Sequence, residues 1–177
     1  MNEGSRERRL RVEAARMEEL SRRSTLVDVE RISAAVDRYR VTFRCKGLFW
    51  PEGAAAPSVT TRHQLEVYLH RDFPRRPPQL LWLTDIFHPN ILSYRRNGGV
   101  CVGGWSPAEG LDDLVIRIGE MVQMKRYGLS DPLDPAAAAW VRFRTGLFPV
   151  DDRPLVDVRV ASDIEVAAWE WEKTDEV

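Results

Sequence analysis

The sequence predicts a single α+β domain, and three observations carry that prediction. A charged, helix-periodic stretch opens the chain, three short alternating strands follow with no helix between them, and helical periodicity returns only after residue 110. Grouped strands with helices segregated to either side describe α+β, whereas a doubly wound sheet would alternate the two kinds of element. At 177 residues and 44% hydrophobic composition, the chain can bury one substantial core but not two ordinary ones.

Residues 6–23, RERRLRVEAARMEELSRR, set Leu10, Val12, Met17 and Leu20 at roughly helical spacing among charges. This predicts a surface helix with one docked face. Its arginine-rich outer face reads first as solvated, and second as a docking surface for an acidic partner. Residues 39–46, YRVTFRCK, alternate Tyr39, Val41, Phe43 and Cys45 with Arg40, Thr42, Arg44 and Lys46, predicting a strand that buries Cys45. Residues 48–58, LFWPEGAAAPS, carry Pro51, Gly53 and Pro57 and read as a loop. HQLEVYLH, residues 63–70, resumes alternation. The prolines of DFPRRPPQ forbid regular structure, and LLWLT, residues 80–84, completes a three-strand meander.

Beyond residue 110, Leu111, Leu114, Val115, Ile118, Met121 and Val122 fall on one helical face, with Asp112, Asp113, Arg117, Glu120 and Gln123 opposite. Asp112 and Asp113 suit the first turn, where they oppose the positive end of the helix dipole. Asp134 and Pro135 form a cap and first-turn pair for an alanine-rich helix through Trp140, ending near Gly146. Residues 155–160, LVDVRV, read as a strand, and Ser162 with Glu165 as a capping box for a last helix bearing Trp169 and Trp171.

The formal net charge of -1 offers no global field for nucleic acid or an anionic membrane. No apolar run approaches the roughly 20 residues that span a bilayer, and the charged N-terminus is not signal-like, so a cytoplasmic location is expected. Cys45 and Cys101 are the only cysteines. Without a Cys-x-x-Cys or Cys-His ladder they make neither a disulfide framework nor a structural metal site, and no cofactor is expected.

Cys101 is the residue on which function turns. In FHPNILSYRRNGGVCVGGWSPAEG it stands between glycine pairs, outside any alternating apolar setting, where missing side chains would let a reactant approach the sulfur. A nucleophile and a packing thiol are about equally compatible with that texture. His88 could pair with the thiol as in cysteine hydrolases, but a histidine directly before Pro89 more often holds a turn.

The ordered series Tyr39–Lys46, Pro51-Glu52-Gly53, Phe73-Pro74-x-x-Pro77-Pro78, His88-Pro89-Asn90, Cys101, Trp105-Ser106-Pro107-Ala108 and Asp131-Pro132-Leu133 resembles the ubiquitin-conjugating enzymes, from the first helix to Trp140. The resemblance implies the fold of that family, with a catalytic-type domain over residues 1–145 and a divergent extension, 146–177, packed on it. It implies that Cys101 carries a ubiquitin-like modifier as a thioester, received from an activating enzyme and passed to an amine on a target protein. Asn90 would stabilise the oxyanion or order the loop, and Asp131 would orient or deprotonate the amine, unless it is only the turn residue before Pro132. His88, Pro89 and Trp105 would shape the site.

Departures from the family pattern also carry information. Three extra residues near Ser93–Asn97 bring Tyr94 and two arginines to the loop before Cys101, and only Val102, Gly103 and Gly104 separate Cys101 from Trp105. Arg75 stands where many relatives carry an aromatic contact for RING-type ligases, so such ligases are not expected to bind. Arg8, Arg9 and Arg16 are the expected partner contacts on the first helix. The arginine bias and divergence outside the motifs suggest a bacterial or archaeal system, with a deconjugating protease nearby and a possible antiphage role. The alternative is a catalytically silent relative that binds a modifier or scaffolds a ligase.

Overall fold

The structure, a computed structural model, describes residues 4–157. Helix α1 (Ser5–Arg22) opens the chain, and strands β1 (Val27–Arg31), β2 (Arg38–Phe43), β5 (His63–Tyr68) and β6 (Gln79–Trp82) form an antiparallel sheet in the order β1-β2-β5-β6. Strands β3 (Gly47–Phe49) and β4 (Ser58–Thr60) make a separate hairpin. Helices α2 (Leu111–Val122) and α3 (Pro135–Arg142) follow, so strands and helices are segregated and the α+β expectation holds.

The expected meander is present and gains a fourth strand. In β1, Val27 pairs with Phe43 and Arg31 with Tyr39, yet of its five residues only Val27 is buried. An edge strand so rich in charge gives almost no period-2 apolar signal. The segment read as a loop at 48–58 is a loop for most of its length, but its ends pair as β3 and β4.

Residues Tyr39, Val41, Phe43 and Cys45 are buried on one side of their strand region, and Phe43 stacks on Trp82 with ring centroids 6.2 Å apart. Burial pushes the Cys45 thiol up to about 12, so this cysteine is a packing residue. Every apolar residue assigned to the inner face of α2 is buried there. Gln123 is the exception on the outer face. It is fully buried, with Nε2 donating to the Arg153 carbonyl at 2.8 Å and its own carbonyl accepting from Val150 N at 3.0 Å. Gly119 lets α2 lie close to the sheet, because a Cβ there would sit 2.6 Å from Leu155 Cδ1 and 3.0 Å from Phe43 Cε1.

On α1 the docked face is Leu10, Glu13, Met17 and Leu20. Val12 is exposed, contrary to expectation, since positions 10, 13, 17 and 20 lie on one helical stripe and 12 does not. The buried Glu13 carboxylate pairs through Oε1 with Arg9, one turn back on α1, at 2.5 Å, and its Oε2 accepts from Leu111 N across the helix interface at 2.7 Å. It therefore joins α1 to the first turn of α2.

Asp134 caps α3 as expected, its Oδ1 accepting from Ala136 N and Ala137 N, but the helix ends at Arg142 rather than near Gly146. Residues 155–157 are not in a strand: Leu155 is buried in the core, and Asp157 N donates to the Arg23 carbonyl at 3.0 Å. The remainder of the expected 155–160 strand, and the helix expected around Ser162, Glu165, Trp169 and Trp171, lie outside the described residues.

Candidate active site

The segment between β6 and α2 folds back on itself. Residues 90–92 run antiparallel to 99–101, with Leu92 N donating to Gly99 O at 2.8 Å, Ile91 bridged to Val100, and Cys101 N donating to Asn90 O at 2.9 Å. The base of this excursion is fastened to the sheet where Trp82 N donates to Gly98 O at 2.8 Å. A side chain at Gly98 would meet the Trp82 carbonyl at 2.4 Å, and φ is +65°. Gly98 thus serves backbone packing rather than access to sulfur. Downstream the surroundings are open: a Cβ on Gly103 or Gly104 would meet nothing within 4 Å. Cys101 is exposed.

His88 is buried, and both of its ring nitrogens are engaged by backbone. Nδ1 accepts from Asn90 N at 3.0 Å, so Nε2 carries the proton and donates to Arg126 O at 3.2 Å. Burial lowers its pKa to about 4. A neutral imidazole locked in one tautomer stabilises the turn, and it has no free nitrogen with which to take a proton from a thiol. Pro89 contributes its carbonyl, which accepts from Asp134 N at 2.9 Å.

The Asn90 side chain is also committed to backbone. Oδ1 accepts from Gly128 N at 2.7 Å, and Nδ2 donates to Gly128 O at 3.2 Å, tying the turn to the segment after α2. Asp131 follows in that segment. It is exposed, and its carboxylate takes part in no hydrogen bond or ion pair among the described residues. Leu133 Cδ1, two residues on, would lie 3.8 Å from a Cβ on Gly99, which brings this segment against the strand leading to Cys101.

The added loop residues are anchored by charge. Tyr94–Arg96 form a single 3₁₀ turn; Ser93 Oγ donates to Asp85 Oδ1 at 2.8 Å, Arg95 Nε donates to the same oxygen at 3.0 Å, and Arg96 Nη1 reaches Asp134 Oδ2 at 2.5 Å. Asp134 therefore uses one oxygen to cap α3 and the other to hold the loop. Only the first task is legible in the sequence, because the pattern Asp-Pro signals a cap and nothing local signals Arg96.

Trp105 Nε1 donates to Pro74 O at 2.8 Å, and its ring packs 5.8 Å from that of Phe73, joining the segment after Cys101 to the proline loop that exposes Arg75. Arg9 reinforces the same junction from α1. Its guanidinium donates to Pro107 O at 2.9 Å and Glu109 O at 2.6 Å, pairs with Glu13, and lies 5.6 Å from the Phe73 ring centre. It is thus committed inside the fold, unlike exposed Arg8 and Arg16, although Arg16 has a loose pairing with Asp112 at 3.8 Å. Residues Glu13, Gly128 and Arg117, whose Nη1 donates to Gly104 O at 3.2 Å, also support the site. None stands in a motif, so spacing alone could not single them out.

The ubiquitin-conjugating enzyme family model matches residues 19–148, which include the arrangement from Phe73 to Asp134 but not Arg9 and Glu13 of α1. The chain belongs to the ubiquitin-conjugating enzyme family. Among curated proteins, this family member is 35% identical over 69 residues to the ubiquitin-conjugating enzyme E2 S of Drosophila grimshawi, a match covering 37% of this chain and 32% of the fly protein. The E2 S protein of Drosophila persimilis is 33% identical over 69 residues, again 37% of this chain and 32% of the relative. The chain thus spans about a third of the length of these curated relatives.

Solved structures share the fold. A putative ubiquitin-conjugating enzyme from Plasmodium yoelii aligns with a TM-score of 0.58 at 21% identity, covering 83% of this chain and 90% of that one. A ubiquitin-conjugating enzyme E2 domain from Toxoplasma gondii gives 0.55 at 24% identity, covering 79% and 89%. Among the described residues no helix is long and apolar enough to cross a membrane.

Proposed function

We propose that this member of the family is a ubiquitin-conjugating-type transferase working through Cys101. The observation that carries the reading is the exposed thiol at the end of a ladder pinned to the His88-Pro89-Asn90 turn. The Cys101 thiolate attacks the thioester carbonyl that joins a ubiquitin-like modifier to its activating enzyme, and the activating enzyme's cysteine leaves as thiolate. An amine of a target protein then attacks the new thioester, loses a proton, and expels the Cys101 thiolate. No cofactor takes part in either step.

In this scheme Asp131 receives the incoming amine. Its open carboxylate supports that role, since an amine with an unperturbed pKa near 10.4 must be oriented and deprotonated at neutral pH. Asn90 acts first as a positioning residue, because its carboxamide is closed on Gly128. The exposed arginines Arg8 and Arg16 of α1 and Arg75 of the proline loop face partners, whereas Arg9 braces the junction between them. The setting we favour is cytoplasmic and prokaryotic, with the modifier, the activating enzyme and a deconjugating protease in one system, where defence against phage is one use. Residues 146–157 belong to an extension on the catalytic domain, and the rest of the expected extension, to residue 177, lies outside the described residues.

A silent scaffold role is less favoured, because such a role does not need an exposed cysteine on a fixed ladder. A hydrolase using His88 is disfavoured by the double backbone engagement of its ring. The test is charging with a cognate activating enzyme, its modifier and ATP. A reductant-sensitive adduct on the wild type, a reductant-resistant ester on Cys101→Ser if any forms, and none on Cys101→Ala are expected. An undiminished thioester on Cys101→Ala overturns the assignment.

A further inference from the structure

We propose that the cleft between the 49–52 turn and α3 reads a cationic side chain, lysine or arginine, on the target segment next to the amine that receives the modifier. The identity of that segment as target rests on the proposed transferase reaction; the cation preference rests on the cleft.

The cleft has a volume of about 940 Å³ and an aromatic floor. Trp50 packs edge-on to Phe87 at 4.9 Å, and Phe87 edge-on to Trp140 at 5.8 Å. Trp50 remains 40% exposed, while its Nε1 donates to Ala54 O at 2.9 Å, so the indole is pinned with part of its surface open. Its size is that of sites that hold a ligand group, and its lining combines aromatic with charged side chains.

Charge decides which group fits. Three carboxylates and two guanidiniums line the cleft. Asp85 is taken by Arg95, and Asp134 by Arg96. Glu52 makes no hydrogen bond or ion pair among the described residues, although it feels the field of Arg95. Over the lining side chains the excess charge is therefore one carboxylate, and Glu52 sits two residues from the open face of Trp50. A carboxylate beside indole rings favours an ammonium or guanidinium over a neutral or anionic group. Trp140 already shows this chemistry within the chain, since the Arg144 guanidinium lies 4.7 Å from its ring centre.

Position gives the preference a use. One wall of the cleft is the Ser93–Arg96 part of the loop that continues to Cys101, and another is Asp134, whose amide donates to Pro89 O. A target segment seated there lies against the elements that carry the thiol. Effective concentration of its neighbouring amine rises without any new catalytic contact.

The test uses the full chain, uncharged, and short peptides with one lysine flanked by arginine, alanine or glutamate. Binding is followed by NMR titration or fluorescence anisotropy at low and high salt. The arginine peptide should bind about fivefold more tightly than the alanine peptide at low salt, with the difference shrinking at high salt. Glu52→Gln should abolish the preference, Glu52→Lys should turn it toward the glutamate peptide, and Trp50→Ala should weaken the arginine peptide most. Tighter binding of the glutamate peptide to the wild type, or a preference that Glu52→Lys leaves unchanged, overturns the site. Because binding is read without a thioester, a chain that binds as described but never charges counts against the transferase and not against the cleft.

Discussion

The carboxamide of Asn90 and the backbone of Gly128 form a closed pair, with Oδ1 accepting the Gly128 amide at 2.7 Å and Nδ2 donating to its carbonyl at 3.2 Å. Two segments far apart in sequence, the turn before Cys101 and the approach to Asp131, are thereby held at one spacing. One N–H of Nδ2 is left over, so an additional contact with a developing oxyanion is compatible with the pairing.

If this pairing is the main role of Asn90, Asn90→Ala removes both hydrogen bonds that the side chain makes to the amide and carbonyl of Gly128. A stability loss of about 1–3 kcal/mol is expected, with faster amide exchange at Gly128 and slower discharge of the thioester at every pH. Unchanged exchange at Gly128 alongside slow discharge would instead assign Asn90 chiefly to the oxyanion.

Asp131→Ala should behave differently. Charging of Cys101 uses a thiol and should stay near normal, while discharge to lysine should slow by something like 10²-fold. The defect should shrink as pH rises, because more of the amine is then already neutral. Parallel pH profiles for the Asp131 and Asn90 variants would reduce Asp131 to a turn residue before Pro132.

The arginines of α1 should separate into two classes. Arg9→Ala removes the partner of buried Glu13 and two donors to the 107–109 backbone, so a loss of about 2–4 kcal/mol in urea melts is expected. Arg8→Glu and Arg16→Glu should leave stability nearly unchanged and slow charging in a salt-dependent manner. Charging rates indifferent to both reversals would make that face solvated and nothing more.

Two buried histidines set the acid response. Burial lowers the pKa of both His63 and His88 to about 4, against about 6.5 in the unfolded chain. Above about 6.5 both states are neutral and nothing is lost. Between about 6.5 and 4 the unfolded chain binds protons that the folded chain refuses, so stability falls as pH drops, by up to about 1.4 kcal/mol per pH unit for each histidine. Urea midpoints measured across this range should show that slope, and His88→Gln should flatten it by about half. A midpoint constant from pH 7 to 4 would mean that these rings titrate normally.

The elements legible in the sequence were those whose burial follows a clean period. The inner face of α2 and the alternation of Tyr39 to Cys45 could be read directly, as could the Asp134 cap. Strand β1 could not, because an edge strand with charges on most positions has no buried stripe to announce it. Glu13 and Gln123 were hidden for the opposite reason: polar residues in buried positions are satisfied by backbone groups distant in sequence, Leu111 N and Arg153 O. The site divided in the same way. Its motif residues stood out in order along the chain, but the partners that hold them, Gly128 for Asn90 and Asp134 for Arg96, become visible only when the chain is folded.

The closure of the loop at its base has a consequence for how this protein can vary. Gly98 N donates to Ser93 O at 3.2 Å, Leu92 pairs with Gly99, and Gly98 O is held by the Trp82 amide, so residues 93–97 form an excursion whose two ends meet before the chain reaches Cys101. The length of that excursion is uncoupled from the location of the sulfur, provided that the Ser93, Arg95 and Arg96 anchors on Asp85 and Asp134 are kept. The excursion is an exchangeable module: grafts there, such as a peptide tag or the corresponding residues of another conjugating enzyme, can retune what the neighbouring surface recognises while the reactive atom stays where it is.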